Sequence, residues 1–281
     1  MRNLTLLYSD AEDPLAVSLR AHASVEAMHV DDLTGYFGKE EREIMPSFSV
    51  PDAVRARFAD KIVLNRVFNL KETGLGTRLK DWKCHEIWGH FLLRQLFADG
   101  SRLVHDTGPR GVSRTLLPLN TQWFKVSRLD DPVATPRYVY NFGGESEGLD
   151  TLREPFQKSV WSLYDWREER HLPAGEANWH RFFVEKPAGS PVLCYFFDVD
   201  RLGEDGLEIV PLRGETTADR QRILALARSL SSTFASAVGE FLFFVEDDGT
   251  LRFYAFSPYL SSAANHPAFA GHVERWVSSL H

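Results

Sequence analysis

The pattern of apolar and polar positions divides the chain into a front part and a rear part of different character. In the front part, short apolar runs alternate with helical or loop segments. The runs are NLTLLYS (Asn3 to Ser9), Ile62 to Leu64, and a shorter one in RLVHDTG (Arg102 to Gly108). Between the last two, DWKCHEIWGHFLLRQLFADG has an apolar stripe at helical spacing. Strands that alternate with helices predict parallel pairing in a small α/β layer.

The rear part is rich in aromatic and β-branched runs, which predict strands. These runs are RYVYNF, RFFVE and VLCYFFDVD, which begin at Arg137, Arg181 and Val192. A helix is predicted next, because four apolar residues fall at spacings of four, three and four on one face. They are Ile223, Ala227, Leu230 and Phe234.

The stretch FLFFVEDDGTLRFYAFSPYLSS predicts a β-hairpin that stops at a proline. Its Asp248-Gly249 pair is typical of a tight turn in which both central residues have φ > 0. A short amphipathic helix, HPAFAGHVERWVSSL, closes the chain. The element order predicts an α/β front domain, residues 1–125, followed by an α+β domain of two lobes, residues 126–281. A loop around Thr121 to Pro136 is the expected boundary.

Composition is typical of a globular protein of one or two domains, with 281 residues, 43% hydrophobic and 25% charged. The net charge of -7 argues against a dedicated nucleic-acid binder. The apolar runs are too short for a transmembrane helix, and MRNLTLLYSDAEDP is interpreted as a first strand, not a signal peptide. The cysteines, Cys84 and Cys194, are far apart, which argues against a disulfide framework or zinc site and favours a cytoplasmic location.

Two motif-like stretches do not predict the sites they suggest. The histidines of HEIWGH, His85 and His90, are five residues apart, whereas metal-binding histidines on one helix need a spacing of four to face the same way. The stretch GESEG has glycines and acids but no lysine where a phosphate-binding loop requires one. We interpret the first as ordinary histidines and the second as a polar loop.

In element order, the chain resembles the RimK-like branch of the ATP-grasp superfamily, which includes ligases that modify ribosomal peptides. The front strand in DKIVLNRVFNL ends in Asn65-Arg66, and FQKSVWS resembles the strand that delivers a lysine to the ATP phosphates. The stretch FFVEKPAGSPVLCYFFDVD resembles the family's hinge strand, its turn and the strand after it. The final helix and hairpin, ILALARSLSSTFASAVGEFLFFVEDDGTLRFYAFSPY, carry the most specific match, because helix length, hairpin and proline stop all agree.

The resemblance implies ATP as cofactor and an ATP-dependent carboxylate–amine ligase, which activates a carboxylate as an acyl phosphate for attack by an amine. By position it implies that Lys158 holds phosphates and that the hinge faces the nucleoside. The matching cofactor positions are Lys158, Val184, Glu185 and Lys186, and the matching substrate positions are Arg66 and Arg167. The alternative for Lys158 is a surface lysine at a strand end, and for the hinge a strand end before a Pro-Ala-Gly turn.

Three positions depart from the family pattern at the expected metal site. The family has an Asp on the penultimate strand and a Glu-x-Asn on the last, and these positions hold Leu242, Ala255 and Ser257. A hydroxyl is a poor substitute for a carboxylate toward Mg²⁺. The departures argue against an ordinary Mg²⁺ site.

Other parts of the family site are also absent from the sequence. The segment SVWSLYDW after Lys158 has no glycine where the phosphate-covering loop is expected, and the arginine of the strand after the hinge is replaced near Leu193. Replacement metal ligands could come from Glu240, Glu246 or Asn265.

Two main hypotheses follow. The first is an ATP-grasp-type ligase with unusual site residues that acts on a peptide or a small-molecule amine or carboxylate. The second is a non-catalytic relative that binds a peptide or a protein partner, such as a paralogue or a second copy of itself. A third hypothesis is a plain α/β protein that resembles the family in architecture only, because a fold does not prove a function.

Overall fold

The computed structural model describes residues 4–36, 52–68, 70, 73–75, 102–104, 116–142, 148–164, 180–214 and 218–280. The predicted helix in DWKCHEIWGHFLLRQLFADG and the substrate position Arg167 lie outside these residues. Among the described helices, none is both long enough and apolar enough to span a bilayer.

The front sheet is parallel, with strand order β2-β1-β3-β4, which confirms the predicted α/β pairing. Its two central strands, β1 and β3, are buried on both faces, because helices cover each side. The elements are β1 (Leu4–Tyr8), α1 (Pro14–Arg20), β2 (Val25–His29), a 3₁₀ helix (Val30–Tyr36), α2 (Asp52–Phe58), β3 (Ile62–Arg66) and β4 (Arg102–Leu103).

A small antiparallel sheet follows, with strand order β5-β7-β6. The helices and strands of this part of the chain are α3 (Leu119–Val126), β5 (Tyr138–Phe142), a 3₁₀ helix (Leu149–Thr151), β6 (Pro155–Gln157) and β7 (His180–Glu185).

The third sheet is antiparallel, with strand order β11-β10-β8-β9. The four residues of the predicted helical face are all buried in the helix Arg220–Phe234, which confirms the prediction: Ile223, Ala227, Leu230 and Phe234. The elements are β8 (Ser190–Phe197), α4 (Val199–Leu202), a 3₁₀ helix (Gly203–Gly206), β9 (Leu207–Pro211), α5 (Arg220–Phe234), β10 (Val238–Val245), β11 (Leu251–Ser257), a 3₁₀ helix (Ala263–Asn265) and α6 (Phe269–Ser279).

The predicted hairpin is confirmed as β10–β11, but its turn differs from the expected one. Gly249 has a φ of 80°, whereas Asp248 is not in the positive-φ region. The Gly249 N–H donates to the Glu246 carbonyl at 2.8 Å, which closes a wider turn with glycine at its left-handed position.

Helix α3 occupies part of the stretch expected to be a loop. Trp123 and Val126 lie with Leu119 on its buried side, in one core with both rear sheets. The expected boundary between 125 and 126 therefore falls inside a helix, and the division into two domains stays a prediction.

Two apolar cores place the sheets relative to one another. The larger lies between the small sheet, the third sheet, α3 and α5. The other lies between the front sheet, α1, α6 and the end of β8, so the last helix of the chain completes the core of the front part.

Candidate functional site

The Lys158 side chain lies between the small sheet and the third sheet. It follows directly after β6, and its backbone N–H donates to the Phe182 carbonyl at 2.9 Å, which extends the pairing of β6 with β7 by one residue. The side chain is 1% exposed. Its ammonium donates to the Tyr254 hydroxyl at 3.0 Å and lies 4.8 Å from the centre of the Tyr254 ring. Lys158 is thus a buried lysine whose side chain faces the last strand, not a surface lysine.

Tyr254 reaches Lys158 because of a β-bulge in the last hairpin. Leu242 pairs with Ala255, whereas the next residue, Phe243, pairs with Phe253, so Tyr254 is the extra residue of β11. An extra residue of this kind redirects its own side chain and is common beside functional sites. The Tyr254 carbonyl also accepts the Trp123 indole N–H at 2.6 Å. The backbone of Tyr254 is therefore fixed by helix α3 as well as by its own sheet.

The predicted hinge residues lie where β7 ends. Val184 is fully buried in the core between the two rear sheets. The Glu185 carboxylate accepts the Arg153 backbone N–H at 3.3 Å and lies 3.8 Å from the Arg137 guanidinium. Because successive side chains of a strand point to opposite faces, Glu185 points away from the face that carries Val184. The Glu185 backbone N–H is also engaged, because it donates to the Arg137 carbonyl at 2.9 Å.

Lys186 continues the chain into the turn before β8. Its ammonium lies 3.3 Å from the Glu154 carboxylate, and about half of its side chain is exposed. This pair is at the surface, where ion pairs contribute little to stability.

The three expected metal positions lie together on adjacent strands. Leu242 of β10 is directly opposite Ala255 of β11, and Ser257 is opposite Glu240. All of these residues are buried. The Ser257 hydroxyl accepts the Tyr259 backbone N–H at 3.0 Å. A methyl group and an isobutyl group cannot coordinate a hard cation, so these positions do not fit Mg²⁺.

Searches by sequence find no relative: no family model matches the chain, and no curated protein matches it. Solved structures do match. The ATP-grasp ligase PsnB, complexed with a minimal precursor, has a TM-score of 0.60 at 12% identity, over 100% of this chain and 99% of that one. The macrocyclase MdnC bound with precursor peptide MdnA, from Microcystis aeruginosa MRC, has a TM-score of 0.58 at 12% identity, over 99% and 100%.

The chain has the ATP-grasp fold. A third structure extends the likeness beyond peptide ligases: the ADP complex of PurK, an N5-carboxyaminoimidazole ribonucleotide synthetase, has a TM-score of 0.52 at 11% identity, over 99% of this chain and 77% of that one. At such low identity, the likeness establishes the fold of this chain. The chemistry of the site has to be argued from the residues of this chain.

The carboxylate of Glu240, on β10, lies beside the expected metal positions, because Glu240 is directly opposite Ser257. Its oxygens accept backbone N–H groups from Ser262 at 3.0 Å and from Ala263 at 2.8 Å. Burial raises the pKa of Glu240 to about 7, although these two hydrogen bonds lower it. The buried Tyr164 hydroxyl lies near both Glu240 and Ser257, without a hydrogen bond of normal geometry. Glu240 therefore holds the segment that follows the last strand.

The other proposed replacement ligands are also engaged elsewhere. Glu246 accepts from the Arg252 guanidinium at 2.6 Å, beside the hairpin turn. The Asn265 amide donates to the Ser261 carbonyl at 3.3 Å. Within the described ranges, no three acidic, histidine or cysteine side chains come together in a way that could hold a metal ion.

Arg66 joins the front sheet to the end of the last strand. Its guanidinium makes two hydrogen bonds to the Asp13 carboxylate, at 2.6 and 2.9 Å, and a third to the Pro258 carbonyl at 2.8 Å. It also lies 5.6 Å from the centre of the Tyr259 ring. The side chain is fully buried, so its predicted contact with substrate stays a prediction, while its contact with the strand end is direct.

The structure thus brings Lys158, Val184, Leu242 and Ala255 to one interface between the rear sheets and places Arg66 at its end. Sequence reasoning missed the two residues that shape this interface, Tyr254 and Trp123. Neither carries a motif, because their roles depend on a bulge and on a contact between distant segments.

Proposed function

We propose that this ATP-grasp protein belongs to the lineage of ATP-dependent carboxylate–amine ligases and that its partner is a peptide. The observation that carries the proposal is the match over the full chain to peptide ligases, combined with a buried lysine at the interface between the two rear sheets. PsnB and MdnC were both solved with precursor peptides. We extend that class of partner, and the RimK-like branch, to this chain.

ATP, when bound, would supply the phosphoryl group that activates a carboxylate. The Lys158 ammonium would neutralise phosphate charge, since phosphoryl transfer depends mainly on positioning and charge neutralisation. The backbone from Val184 to Lys186 would contact the nucleoside, and Arg66 and Arg167 would lie toward the substrate. Leu242, Ala255 and Ser257 do not fit Mg²⁺, so a magnesium-dependent step cannot be assigned to them.

The second candidate is a non-catalytic ATP-grasp relative that uses the fold to bind a peptide, a paralogue or a second copy of itself. The observation in its favour is the apolar and buried character of Leu242 and Ala255, together with the cover that Tyr254 places over Lys158. For either candidate we propose a cytoplasmic location, supported by the free, buried thiol of Cys194.

Thermal unfolding with and without nucleotide tests the ATP part of the proposal. A ligand that binds only the folded state at about 100 times its Kd stabilises it by about 2.7 kcal/mol, so millimolar Mg-ATP should raise the Tm. Lys158→Ala should abolish the rise, whereas Lys125→Ala, in α3, should retain it. No rise with the wild-type protein would remove ATP from the proposal.

Release of ADP separates the two candidates. A ligase should release ADP when it is given Mg-ATP and a peptide substrate, and the release should depend on Lys158. A non-catalytic relative should capture a specific peptide or protein from its source cell without ADP release. Capture without turnover would favour the second candidate.

A further inference from the structure

The side chain of Tyr254 lies where any anion that binds Lys158 from the third-sheet side would have to be. We propose that Tyr254 is a gate: its phenol covers the Lys158 ammonium in the closed state and must turn away before an anionic ligand can reach it. The inference rests on the proposed function only for the identity of the anion, a nucleotide polyphosphate.

The first observation is the contact itself. The Lys158 ammonium and the Tyr254 hydroxyl are 3.0 Å apart, and both residues have almost no exposed surface. A phosphate or carboxylate oxygen binds an ammonium at the same distance and along the same donor directions. The Tyr254 hydroxyl and such an oxygen therefore compete for the N–H of the ammonium that points toward the third sheet, one of its three donors.

The second observation is the bulge. A regular pairing would place residue 254 opposite a residue of β10, but the register shift after Leu242 makes Tyr254 the extra residue of β11, between the pairs Leu242–Ala255 and Phe243–Phe253. This shift turns its ring toward the small sheet. Within its own sheet the ring contacts Phe244 edge-on, with ring centres 5.6 Å apart. The gate is thus set by the backbone of the last hairpin.

The third observation is that the backbone around Tyr254 is held by hydrogen bonds, whereas the proposed movement involves only the Tyr254 side chain. The Tyr254 carbonyl accepts the Trp123 indole N–H at 2.6 Å, and the neighbouring Phe256 backbone is held by the Gln122 amide at 2.7 and 3.0 Å. These contacts hold the strand in place. Opening would therefore require a rotation of the Tyr254 side chain and not a displacement of β11.

Two substitutions and two readouts test the gate. Tyr254→Phe removes the hydroxyl and keeps the ring, and Tyr254→Ala removes the cover. Tyr195→Phe is the matched control. Tyr195 lies on β8 of the same sheet, and the substitution removes a buried tyrosine hydroxyl that contacts the His266 ring. The readouts are the rate of Lys158 acetylation by a water-soluble acylating reagent, measured by mass spectrometry, and the affinity for ATP and for inorganic tripolyphosphate, measured by calorimetry.

Tyr254→Ala should raise the acetylation rate of Lys158 and tighten ATP binding by about tenfold or more, as expected when a hydrogen bond to a charged group is removed from competition. Tyr254→Phe, which preserves the shape of the core, should give a smaller change in the same direction. Tyr195→Phe should match the wild-type protein. The gain in ATP affinity should disappear when Lys158→Ala is added to Tyr254→Ala.

The outcomes distinguish the gate from the proposed function. Equal acetylation rates and equal affinities in the wild-type protein and both Tyr254 variants would overturn the gate, and ATP binding by all of them would keep the proposed function. Faster acetylation without binding of ATP or tripolyphosphate by any variant would support the gate and remove the nucleotide. If Tyr254→Ala does not fold, Tyr254→Phe alone decides between these outcomes.

Discussion

The Glu240 carboxylate accepts the backbone N–H of Ala263 at 2.8 Å, across the turn that follows the last strand. In many proteins a surface carboxylate caps a helix in this way, but Glu240 is fully buried. It holds the 3₁₀ helix Ala263–Asn265 against the beginning of β10, directly beside the expected metal positions.

Burial of this carboxylate makes stability depend on pH. The pKa of Glu240 is about 7 in the folded protein and near 4.5 when unperturbed. Between these values the folded state binds more protons than the unfolded state, so stability falls as pH rises through this window. The stabilisation is complete below about pH 4.5 and lost above about pH 7, by about 3 kcal/mol in total.

Urea unfolding at a series of pH values measures this dependence. Glu240→Gln should remove this component of the slope between pH 5 and 7, because the amide does not titrate. Glu246→Gln, a substitution of the same kind beside the hairpin turn, should keep it. An unchanged slope in Glu240→Gln would show that another group is responsible.

The buried ion pair between Arg66 and Asp13 should be costly to break from one side. Arg66→Met would leave the Asp13 carboxylate buried without its counterion, which should lower the free energy of unfolding by about 3–5 kcal/mol. Adding Asp13→Asn should recover part of the loss. Arg57→Ala, which removes a partly exposed pair with Glu26, should cost less than about 1 kcal/mol. A similar loss for both arginines in denaturant unfolding would contradict this.

Gln122 covers the outer edge of the last strand. Its side-chain amide donates to the Phe256 carbonyl and accepts from the Phe256 N–H. Without this cover, the backbone groups at the strand edge would have no hydrogen-bond partner in the sheet. Gln122→Ala should destabilise the protein by about 3 kcal/mol, since it leaves two buried backbone groups unsatisfied. Gln221→Ala, at an exposed site in α5, is the control, with an expected loss within about 0.5 kcal/mol. Equal losses would mean that water replaces the Gln122 amide.

Two glycines with left-handed backbones differ in their surroundings. A Cβ at Gly189, where φ is 88°, would press against the Val245 carbonyl, with the carbonyl carbon at 2.6 Å, whereas one at Gly249, where φ is 80°, would meet nothing within 4 Å. Gly249→Ala should cost about 1–2 kcal/mol from backbone strain alone. Gly189→Ala should cost about 3 kcal/mol or more, because the clash with backbone adds to the strain. Thermal unfolding of both variants compares them, and equal losses would show that the turn at Gly189 can shift.

Much of the rear part could be predicted from local patterns. Helix α5 and the β10–β11 hairpin follow from apolar spacing and turn residues, and both are present, although the hairpin turn is wider than expected. Helix α3 was not predicted from its own apolar pattern, because it is short and its decisive contacts are distant in sequence. Trp123 donates to the Tyr254 carbonyl, and Gln122 to the Phe256 carbonyl. A helix held mainly by such contacts has little signal in its own residues.

The candidate site shows the same limit. The position of Lys158 at the end of a strand follows from sequence order, as do Leu242 and Ala255 as neighbours on two strands. The contact between Lys158 and Tyr254 does not, since it arises from a one-residue shift in register that strand patterns do not reveal.

The packing of α6 against the front sheet has a consequence for synthesis on the ribosome. Strand β1 and helix α1 emerge early, but Val273, Trp276 and Val277, which cover their shared apolar side, belong to the last helix. A nascent front sheet therefore keeps that side open to water, chaperones or other nascent chains until the residues of α6 have been translated.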